Sequence, residues 1–339
     1  MIDLRSDTVT RPTAAMRAVM AEADVGDDML DGDPTALALE GEVARLLGKE
    51  AALFFPSGTM ANQTALWMLA EPGTEALCDA RAHVYDWEGA GAAVFRGVQL
   101  RPVTPLGLTI RASDVERGMR APSRYAPRAT LLCLENTNNG AGGVVTPLAE
   151  LQALSGVARA AGLAVHLDGA RLWNAHIATG VALADFAMTA DTVMVSFSKG
   201  LGAPIGAALA GSKALIDEAW HVRKRFGGGM RQSGIIASAA LYGMRHHLAR
   251  LHVDHENAAT FAQRVAGAGG ARPVLPDTNI VMIDLRDGQR AEAVVASARA
   301  GGVALSAWSA SRIRAVFHLD VSAADAADAA RIVAAALAA

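Results

Sequence analysis

Residues 195–206 read VSFSKGLGAPIG, and the lysine in this run is the residue that is most informative about the chemistry of the chain. Lys199 follows residues 192–197, a β-branched and aromatic stretch typical of a buried strand, and it precedes a glycine-rich turn. A lysine at the end of a buried strand can lose hydration, which lowers the pKa of its amine and makes it a nucleophile that forms Schiff bases. An exposed, solvated lysine is the commoner alternative, so other residues are needed to distinguish a nucleophilic Lys199 from a solvated one.

The composition is that of a globular protein with a large core. Of 339 residues, 52% are hydrophobic and 19% are charged, and at roughly 150 residues per domain this length predicts two domains. The net charge is −3 without a basic run, so neither nucleic acid nor a membrane is expected as a partner. Cys78 and Cys133 lie in apolar contexts and suit a reducing compartment. The N-terminus does not resemble a signal peptide, so we expect a cytoplasmic protein.

Apolar strands alternate with helical segments through most of the chain. Strands are predicted at 129–136, 163–168, 192–197 and 205–211, with helices at 37–48 and 147–162. This order predicts an α/β fold with a mostly parallel sheet sandwiched by helices. A long helix over 244–267 would lead to a smaller C-terminal α+β domain. We therefore predict a large domain with an N-terminal arm at 1–250 and a small domain at 251–339.

In such a sheet, three further features of the sequence would lie near Lys199. Asp168 closes a strand, and ligands bind at the carboxyl ends of parallel strands. Residues 57–59, SGT, follow a strand and open a helix whose backbone N–H groups can bind an anion. His83 offers a flat ring. Each feature alone has an ordinary structural interpretation, but together they are the set that pyridoxal 5′-phosphate requires.

Segments along nearly the whole chain resemble the low-specificity L-threonine aldolases, which are fold-type-I pyridoxal-phosphate enzymes related to β-eliminating lyases. The resemblance implies the fold-type-I architecture and this cofactor. The matching segments are DLRSDTVTRPT at 3–13, VGDD and GDPT within 25–35, LGKEAALFFPSGTMAN at 47–62, LENT at 134–137, HLDGARLWNA at 166–175, SKGLGAPIG at 198–206, GGGMRQSG at 227–234 and HLDV at 318–321.

The resemblance also implies a role for each matching residue. Lys199 would form the Schiff base with the cofactor, Asp168 would pair with its ring nitrogen, and His83 would stack on the ring. The other cofactor contacts would come from Ser57, Gly58, Thr59 and Arg171, with Lys224, Arg231 or both supplied by a neighbouring subunit. The substrate carboxylate would be bound by Ser6, Arg171 and Arg314. No metal is implied.

Two positions depart from the family pattern. Asn138 stands where the family commonly has histidine, and Leu30 stands where tyrosine is common. An amide can form hydrogen bonds but cannot act as a base, so a water held by His83 would take that role. Both changes make the presumed substrate pocket less polar, and we expect larger or less polar β-substituents than that of threonine, as in phenylserine.

The resemblance implies retro-aldol cleavage of L-β-hydroxy-α-amino acids to glycine and an aldehyde. Candidate substrates are L-threonine, L-allo-threonine and phenylserine-like amino acids, and the implied assembly is a homotetramer, a dimer of dimers with shared active sites. The nearest alternative is another fold-type-I lyase or racemase that acts on a different amino acid. A nucleotide-binding protein is a weaker alternative, because GLGAPIG lacks the G-x-G-x-x-G spacing after a first strand. A catalytically idle homologue that serves as an interaction protein is the third.

Overall fold

The computed structural model describes all 339 residues as strands and helices joined mostly by short loops. The strands are β1 (Ile2–Asp3), β2 (Ala51–Phe55), β3 (Glu75–Asp79), β4 (Gln99–Val103), β5 (Ala129–Glu135), β6 (Ala164–Gly169), β7 (Thr192–Ser196), β8 (Ala207–Gly211), β9 (Arg272–Pro273), β10 (Ile280–Asp284), β11 (Val303–Ala304), β12 (Ser306–Ser309) and β13 (Arg312–Val316). The helices are α1 (Ala14–Ala21), α2 (Pro34–Leu47), α3 (Gly58–Leu69), α4 (His83–Asp86), α5 (Ala112–Gly118), α6 (Leu148–Ala160), α7 (Leu172–Thr179), α8 (Leu183–Ala187), α9 (Lys213–Arg225), α10 (Gly234–His246), α11 (Leu251–Val265), α12 (Ala291–Ala300) and α13 (Ala323–Ala338).

Seven strands form the central sheet, in the order β2-β8-β7-β6-β5-β3-β4. All of them run in one direction except β8, which is antiparallel to both β2 and β7. The prediction of a mostly parallel α/β sheet is confirmed.

Alternate residues of β7 pack into different cores. Val193 and Val195 belong to the largest hydrophobic cluster. Met194, between them, packs with Phe55 and Leu209 in a separate cluster. Because successive side chains of a strand point to opposite faces, both faces of the sheet are buried, as expected for a sheet sandwiched by helices.

Three parallel strands end at the same edge of this sheet. In the strand register Glu135 of β5 lies beside Asp168 of β6, and Asp168 lies beside Met194 of β7. The chain then continues from β7 through Phe197 to Lys199. This edge therefore carries the polar residues that the sequence singled out.

The C-terminal part has its own sheet and core. The strands β12, β13, β10 and β9 form an antiparallel sheet, and α11, α12 and α13 contribute to a separate hydrophobic cluster. Leu4 belongs to this cluster, and β1 pairs with β11. The extreme N-terminus thus packs with the C-terminal residues, although the predicted boundaries placed it with the large domain.

One predicted element is interrupted. The expected helix over 244–267 is two helices, because α10 ends at His246 and α11 begins at Leu251. In the break, Nδ1 of His247 lies 2.8 Å from the carbonyl oxygen of Leu201. No glycine or proline marks the break in the sequence, so a tertiary contact accompanies a turn that the helical pattern could not indicate. No helix in the structure has both the length and the apolar surface needed to cross a membrane.

Candidate active site

A cavity of about 490 Å³ lies at the carboxyl ends of β5, β6 and β7. It brings together residues that are far apart in the sequence. The predicted site residues that line it are Ser6, Ser57, Gly58, Thr59, His83, Asp168, Arg171, Lys199 and Arg314.

Lys199 is half-buried in this cavity, and it is the only one of the chain's four lysines that lines it. Burial and the positive charge of Arg171 lower the pKa of its amine. Its backbone is held by Thr10, whose hydroxyl donates to the Lys199 carbonyl at 3.0 Å. Gly202 follows with a φ of +79°, a conformation that suits glycine. The geometry therefore favours a nucleophilic amine over a solvated lysine.

Asp168 is buried and held by two hydrogen bonds. Its Oδ1 accepts the N–H of Ala170 at 2.9 Å, and its Oδ2 accepts Nδ2 of Asn62 at 2.8 Å. Asn62 is oriented in turn by Nε2 of His166, 3.0 Å from its Oδ1. Burial lowers the pKa of His166 to about 4, so this imidazole is neutral and Nε2 donates to Asn62. Asn62 and His166 support the carboxylate that would face a ring nitrogen, and sequence reasoning assigned neither of them a role.

Glu88 is a buried hub that sequence reasoning missed. It accepts hydrogen bonds from Asn62 at 2.7 Å and Gln63 at 2.6 Å, and Nδ1 of His83 lies 2.8 Å from its Oε1. Burial alone would lower the pKa of His83, but the hydrogen bond to Glu88 and the charge of Asp168 outweigh it and raise the pKa. Glu88 therefore connects the imidazole of His83, through Asn62, to the carboxylate of Asp168.

The turn at 57–59 forms the N-terminus of α3, a twelve-residue helix. Ser57 is the N-cap, with its Oγ accepting the N–H of Met60 at 3.2 Å. A Cβ at Gly58 would lie 3.3 Å from Cε of Met194, so glycine permits the close approach of this helix end to β7. The free N–H groups and hydroxyls at this end suit a phosphate.

Arg171 is buried, and two of its three guanidinium nitrogens bind a carboxylate of the chain. Its Nε and Nη2 both donate to the carboxylate of Asp7 at 2.7 Å, a bidentate ion pair. Its Nη1 donates to Oδ1 of Asn139 at 3.2 Å. Asp7 stands next to the predicted Ser6, yet nothing in the local sequence indicated that it pairs with a residue 164 positions away.

Arg314 is a buried cation without a carboxylate partner in the chain. Its Nη1 donates to Oδ1 of Asn139 at 3.0 Å and its Nη2 to the carbonyl of Arg5 at 3.2 Å, while its buried Nε has no partner. Burial and the nearby charge of Arg171 lower its pKa to about 10. A buried guanidinium without a counter-ion is costly, so the cavity offers a strong site for a ligand carboxylate.

Glu135 links the two loops that carry His83 and Asn139. Its carboxylate oxygens accept the backbone N–H groups of these two residues, each at 2.7 Å. Burial and the charge of Asp168 raise the pKa of Glu135 to about 7. Glu135 thereby fixes the backbone that presents the imidazole on one side and the arginine-binding amide on the other.

Asn138 does not line the cavity. It is buried, and its Oδ1 accepts the N–H of Ala141 at 2.8 Å, so the amide stabilises its own turn. The neighbouring Asn139 faces the cavity instead. The expectation that Asn138 contacts the substrate therefore finds no support in the geometry of this chain.

Leu30, Lys224 and Arg231 also lie outside the cavity of their own chain. Leu30 is 77% exposed, and Arg231 pairs with Asp27 at 3.0 Å. A Cβ at Gly229 would lie near Lys224 and Met29, so residues 27–30 and 224–231 share one exposed surface. These three predicted site residues do not join the others within a single chain.

The residues of the cavity fit pyridoxal phosphate. The cavity has one lysine with a lowered pKa, a buried aspartate and an anion-binding helix end. Two cavity-lining groups, Nε of Arg314 and Oγ1 of Thr137, are buried without partners, as expected of groups that meet a ligand. The cofactor would be held by Ser57, Gly58, Thr59, His83, Asp168, Arg171 and Lys199.

Comparison with known proteins agrees with this assignment. Residues 3–288 match the β-eliminating lyase family model. The chain is 40% identical over 332 residues to low-specificity L-threonine aldolase 1 of Arabidopsis thaliana, covering 96% of this chain and 93% of that one. It is 41% identical over 323 residues to the low-specificity L-threonine aldolase of Escherichia coli, covering 95% of each. The threonine aldolase of Leishmania major shares the fold, with a TM-score of 0.81, 18% identity and 98% of each chain covered. The chain therefore belongs to the low-specificity L-threonine aldolases, pyridoxal-phosphate-dependent lyases of the β-eliminating lyase family.

Proposed function

We propose that this protein cleaves L-β-hydroxy-α-amino acids, such as L-threonine, L-allo-threonine or phenylserine, to glycine and an aldehyde. The observation that supports the proposal is that Lys199 and Arg314 line the same cavity. The first has a lowered pKa, and the second is a buried cation without a counter-ion. An amino acid offers a carboxylate for the arginine while its amino group meets the cofactor on the lysine.

Pyridoxal phosphate, when bound, would supply an electron sink for the charge left on the α-carbon as the Cα–Cβ bond breaks. Asp168 would keep the ring nitrogen protonated, and Asn62 holds the carboxylate in place for this role. Lys199 would hold the cofactor through its amine, whose pKa is lowered by burial and by Arg171.

Arg314, Arg171 and Ser6 would bind the substrate carboxylate and thereby orient the bonds at the α-carbon. Nε and Nη2 of Arg171 bind the carboxylate of Asp7, so only its Nη1, which donates to Asn139, is not engaged by a carboxylate. Arg314 thus supplies most of the free positive charge. Fixing the carboxylate would therefore help to set which bond of the α-carbon is cleaved.

His83 is our candidate for removing the proton of the β-hydroxyl, directed through a bound water. Its Nδ1 is engaged by Glu88, which leaves Nε2 for the water. Because the hydrogen bond to Glu88 raises the pKa of the imidazole above its ordinary value, we expect the rate to rise with pH as Nε2 loses its proton.

We also propose that the protein acts as a homotetramer with active sites shared between subunits. Leu30, Lys224 and Arg231 share an exposed surface outside their own cavity. In an assembly of identical chains, this surface can complete the site of a neighbour, and Lys224 and Arg231 would add positive charge near its phosphate.

The cytoplasm is the expected location. Cys78 and Cys133 lie beside each other on β3 and β5, both buried and free. Burial raises the pKa of both thiols, that of Cys78 to about 12, so neither thiol is disposed to react. We expect the same thermal stability with and without a reductant.

The products formed from L-threonine test this function. We expect glycine and acetaldehyde in equal amounts from the holoenzyme. Ammonia with 2-oxobutyrate would indicate β-elimination, and D-allo-threonine, formed by inversion at the α-carbon, would indicate a racemase. Either of those outcomes as the main reaction would overturn the proposal in favour of the alternative fold-type-I enzyme.

A further inference from the structure

Two tryptophans stand side by side at the mouth of the cavity. Trp87 follows α4, which carries His83, and Trp308 lies on β12 of the C-terminal sheet. Their ring centroids are 5.8 Å apart with 38° between the planes. The guanidinium of Arg314 lies 4.5 Å from the centroid of the Trp308 ring. Two separate parts of the fold therefore build one aromatic surface beside the carboxylate site.

This aromatic surface is partly exposed to solvent, although most of the residues around it in the cavity are polar. Trp87 is 58% exposed and Trp308 is half-buried. Apart from the imidazole of His83, these indoles are the only aromatic rings that line the cavity. Most other lining residues are polar. An exposed apolar patch rimmed by polar groups is typical of a binding surface, so these two rings are suited to contact a ligand that extends from the cavity.

The geometry limits how a ligand can use the pair. A flat group stacked between two indoles would need them about 7 Å apart, at roughly 3.5 Å per contact. The two rings are already in contact with each other, and the guanidinium of Arg314 covers part of Trp308. A ligand group must therefore lie along the joint surface of both rings rather than between them.

We propose that Trp87 and Trp308 form an aromatic wall that selects β-hydroxy-α-amino acids with an aryl β-substituent. The proposal rests on the proposed function, because it assumes an amino-acid substrate held by Arg314. With the carboxylate at Arg314, a β-aryl group extends along the indoles and buries apolar area there. The methyl group of threonine is too small to reach much of this surface.

Trp308 also supports Arg314, and the test must separate the two roles. A tryptophan that only positions the guanidinium would affect every substrate carboxylate equally. A wall that contacts the β-substituent would change the preference between large and small side chains. Trp87 makes this distinction directly, because its contact is with Trp308 and not with Arg314.

The experiment measures binding of L-phenylalanine and L-alanine to the holoenzyme by calorimetry, since neither has the β-hydroxyl needed for retro-aldol cleavage. The variants are Trp87→Leu and Trp308→Leu, and Trp220→Leu is the matched control. Trp220 is a half-buried tryptophan that packs on His221, outside the cavity. The ratio of kcat/KM for phenylserine to that for threonine is measured in parallel.

We expect the wild type and Trp220→Leu to bind phenylalanine at least about tenfold more tightly than alanine. Each wall variant should lose most of this preference, and Trp87→Leu should keep the wild-type affinity for alanine. An unchanged preference in a folded wall variant, equal losses for both ligands, or no preference in the wild type would each overturn the wall. Absence of cleavage with an intact binding preference would instead count against the proposed function alone.

Discussion

Glu88 holds both groups that would face the cofactor ring, His83 directly and Asp168 through Asn62. Replacing it with glutamine turns an amide N–H₂ toward residues that already donate, and it removes the negative charge beside the imidazole. We expect Glu88→Gln to bind pyridoxal phosphate roughly tenfold more weakly and to lower the pKa of His83. Cofactor titration and an NMR titration of the histidines check this, with the exposed Glu116→Gln as control. Unchanged cofactor affinity would show that Glu88 is not needed to hold His83 and Asp168 against the cofactor.

His83 should be needed for turnover beyond its contact with the cofactor. We expect His83→Asn to lower kcat by a factor of about 100 or more while the absorbance of the bound cofactor persists. The wild-type rate should rise with pH through the raised pKa of His83, and the variant should lose this limb. Full retro-aldol activity with normal cofactor binding would show that the base lies elsewhere.

His166 makes a pH-dependent contribution to stability. Its pKa falls from 6.5 to about 4 in the fold, so below pH 6.5 the unfolded chain binds the proton first. Stability is therefore intact above pH 6.5 and is lost as the pH falls, by up to roughly 3 kcal/mol near pH 4. Chemical denaturation of the holoenzyme at several pH values should show a shallower loss in His166→Gln than in the wild type. Equal slopes would contradict a buried neutral imidazole.

Sequence reasoning could identify residues whose chemistry is local and could not identify their supports. Lys199, Asp168 and the 57–59 turn each stand at the end of a recognisable strand, so their place followed from the pattern. Asn62 and Asp168 are 106 positions apart, and their contact depends on how α3 packs on the sheet. Contacts of this kind leave no periodic signal in the sequence.

The helix α13 begins with a capping box. Ser322 Oγ accepts the N–H of Asp325 at 3.1 Å, and the Asp325 carboxylate accepts the N–H of Ser322 at 3.0 Å. We expect Ser322→Ala to lower the free energy of unfolding by about 1 kcal/mol without affecting catalysis. Urea denaturation checks this against Ser113→Ala, an exposed serine of α5 without a side-chain hydrogen bond. A loss no greater than that of the control would contradict the cap.

Most elements could be predicted, and the exceptions have a tertiary origin. The buried strands β5, β6 and β7 are continuous apolar runs, which the sequence displays directly. The break between α10 and α11 coincides with the contact of His247 with Leu201. Residues 303–309 form two short strands, because β11 pairs with β1 at the N-terminus while β12 joins β13. Neither partner could be identified from the local sequence.

At the scale of the whole molecule, sharing of sites between subunits predicts complementation. Lys199→Ala removes the anchor of its own cavity, and Arg231→Ala removes a group offered to a neighbour. Each variant alone should be nearly inactive. Hybrids should contain intact sites, so an equal mixture refolded together should regain roughly a quarter of wild-type activity. If tagged hybrids form and no activity returns, or if Arg231→Ala is fully active alone, the sites are not shared through Arg231.

The overall architecture could be predicted further than the assembly. The parallel sheet and the C-terminal α+β unit follow from apolar periodicity, which describes one chain. The packing of Leu4 with the C-terminal core and the surface shared by Leu30 and Arg231 depend on three-dimensional proximity. A monomer sequence carries no direct record of which exposed surface meets another copy.

The proposed function depends on Lys199 as the residue that carries the cofactor in this cavity. The most direct measurement is borohydride reduction of the holoenzyme, followed by proteolysis and mass spectrometry of the peptides. The chain has only four lysines, so the label can be placed without ambiguity. We expect one pyridoxyl group per chain, on Lys199. A label on Lys49, Lys213 or Lys224, or no label on a protein that binds the cofactor, would contradict it.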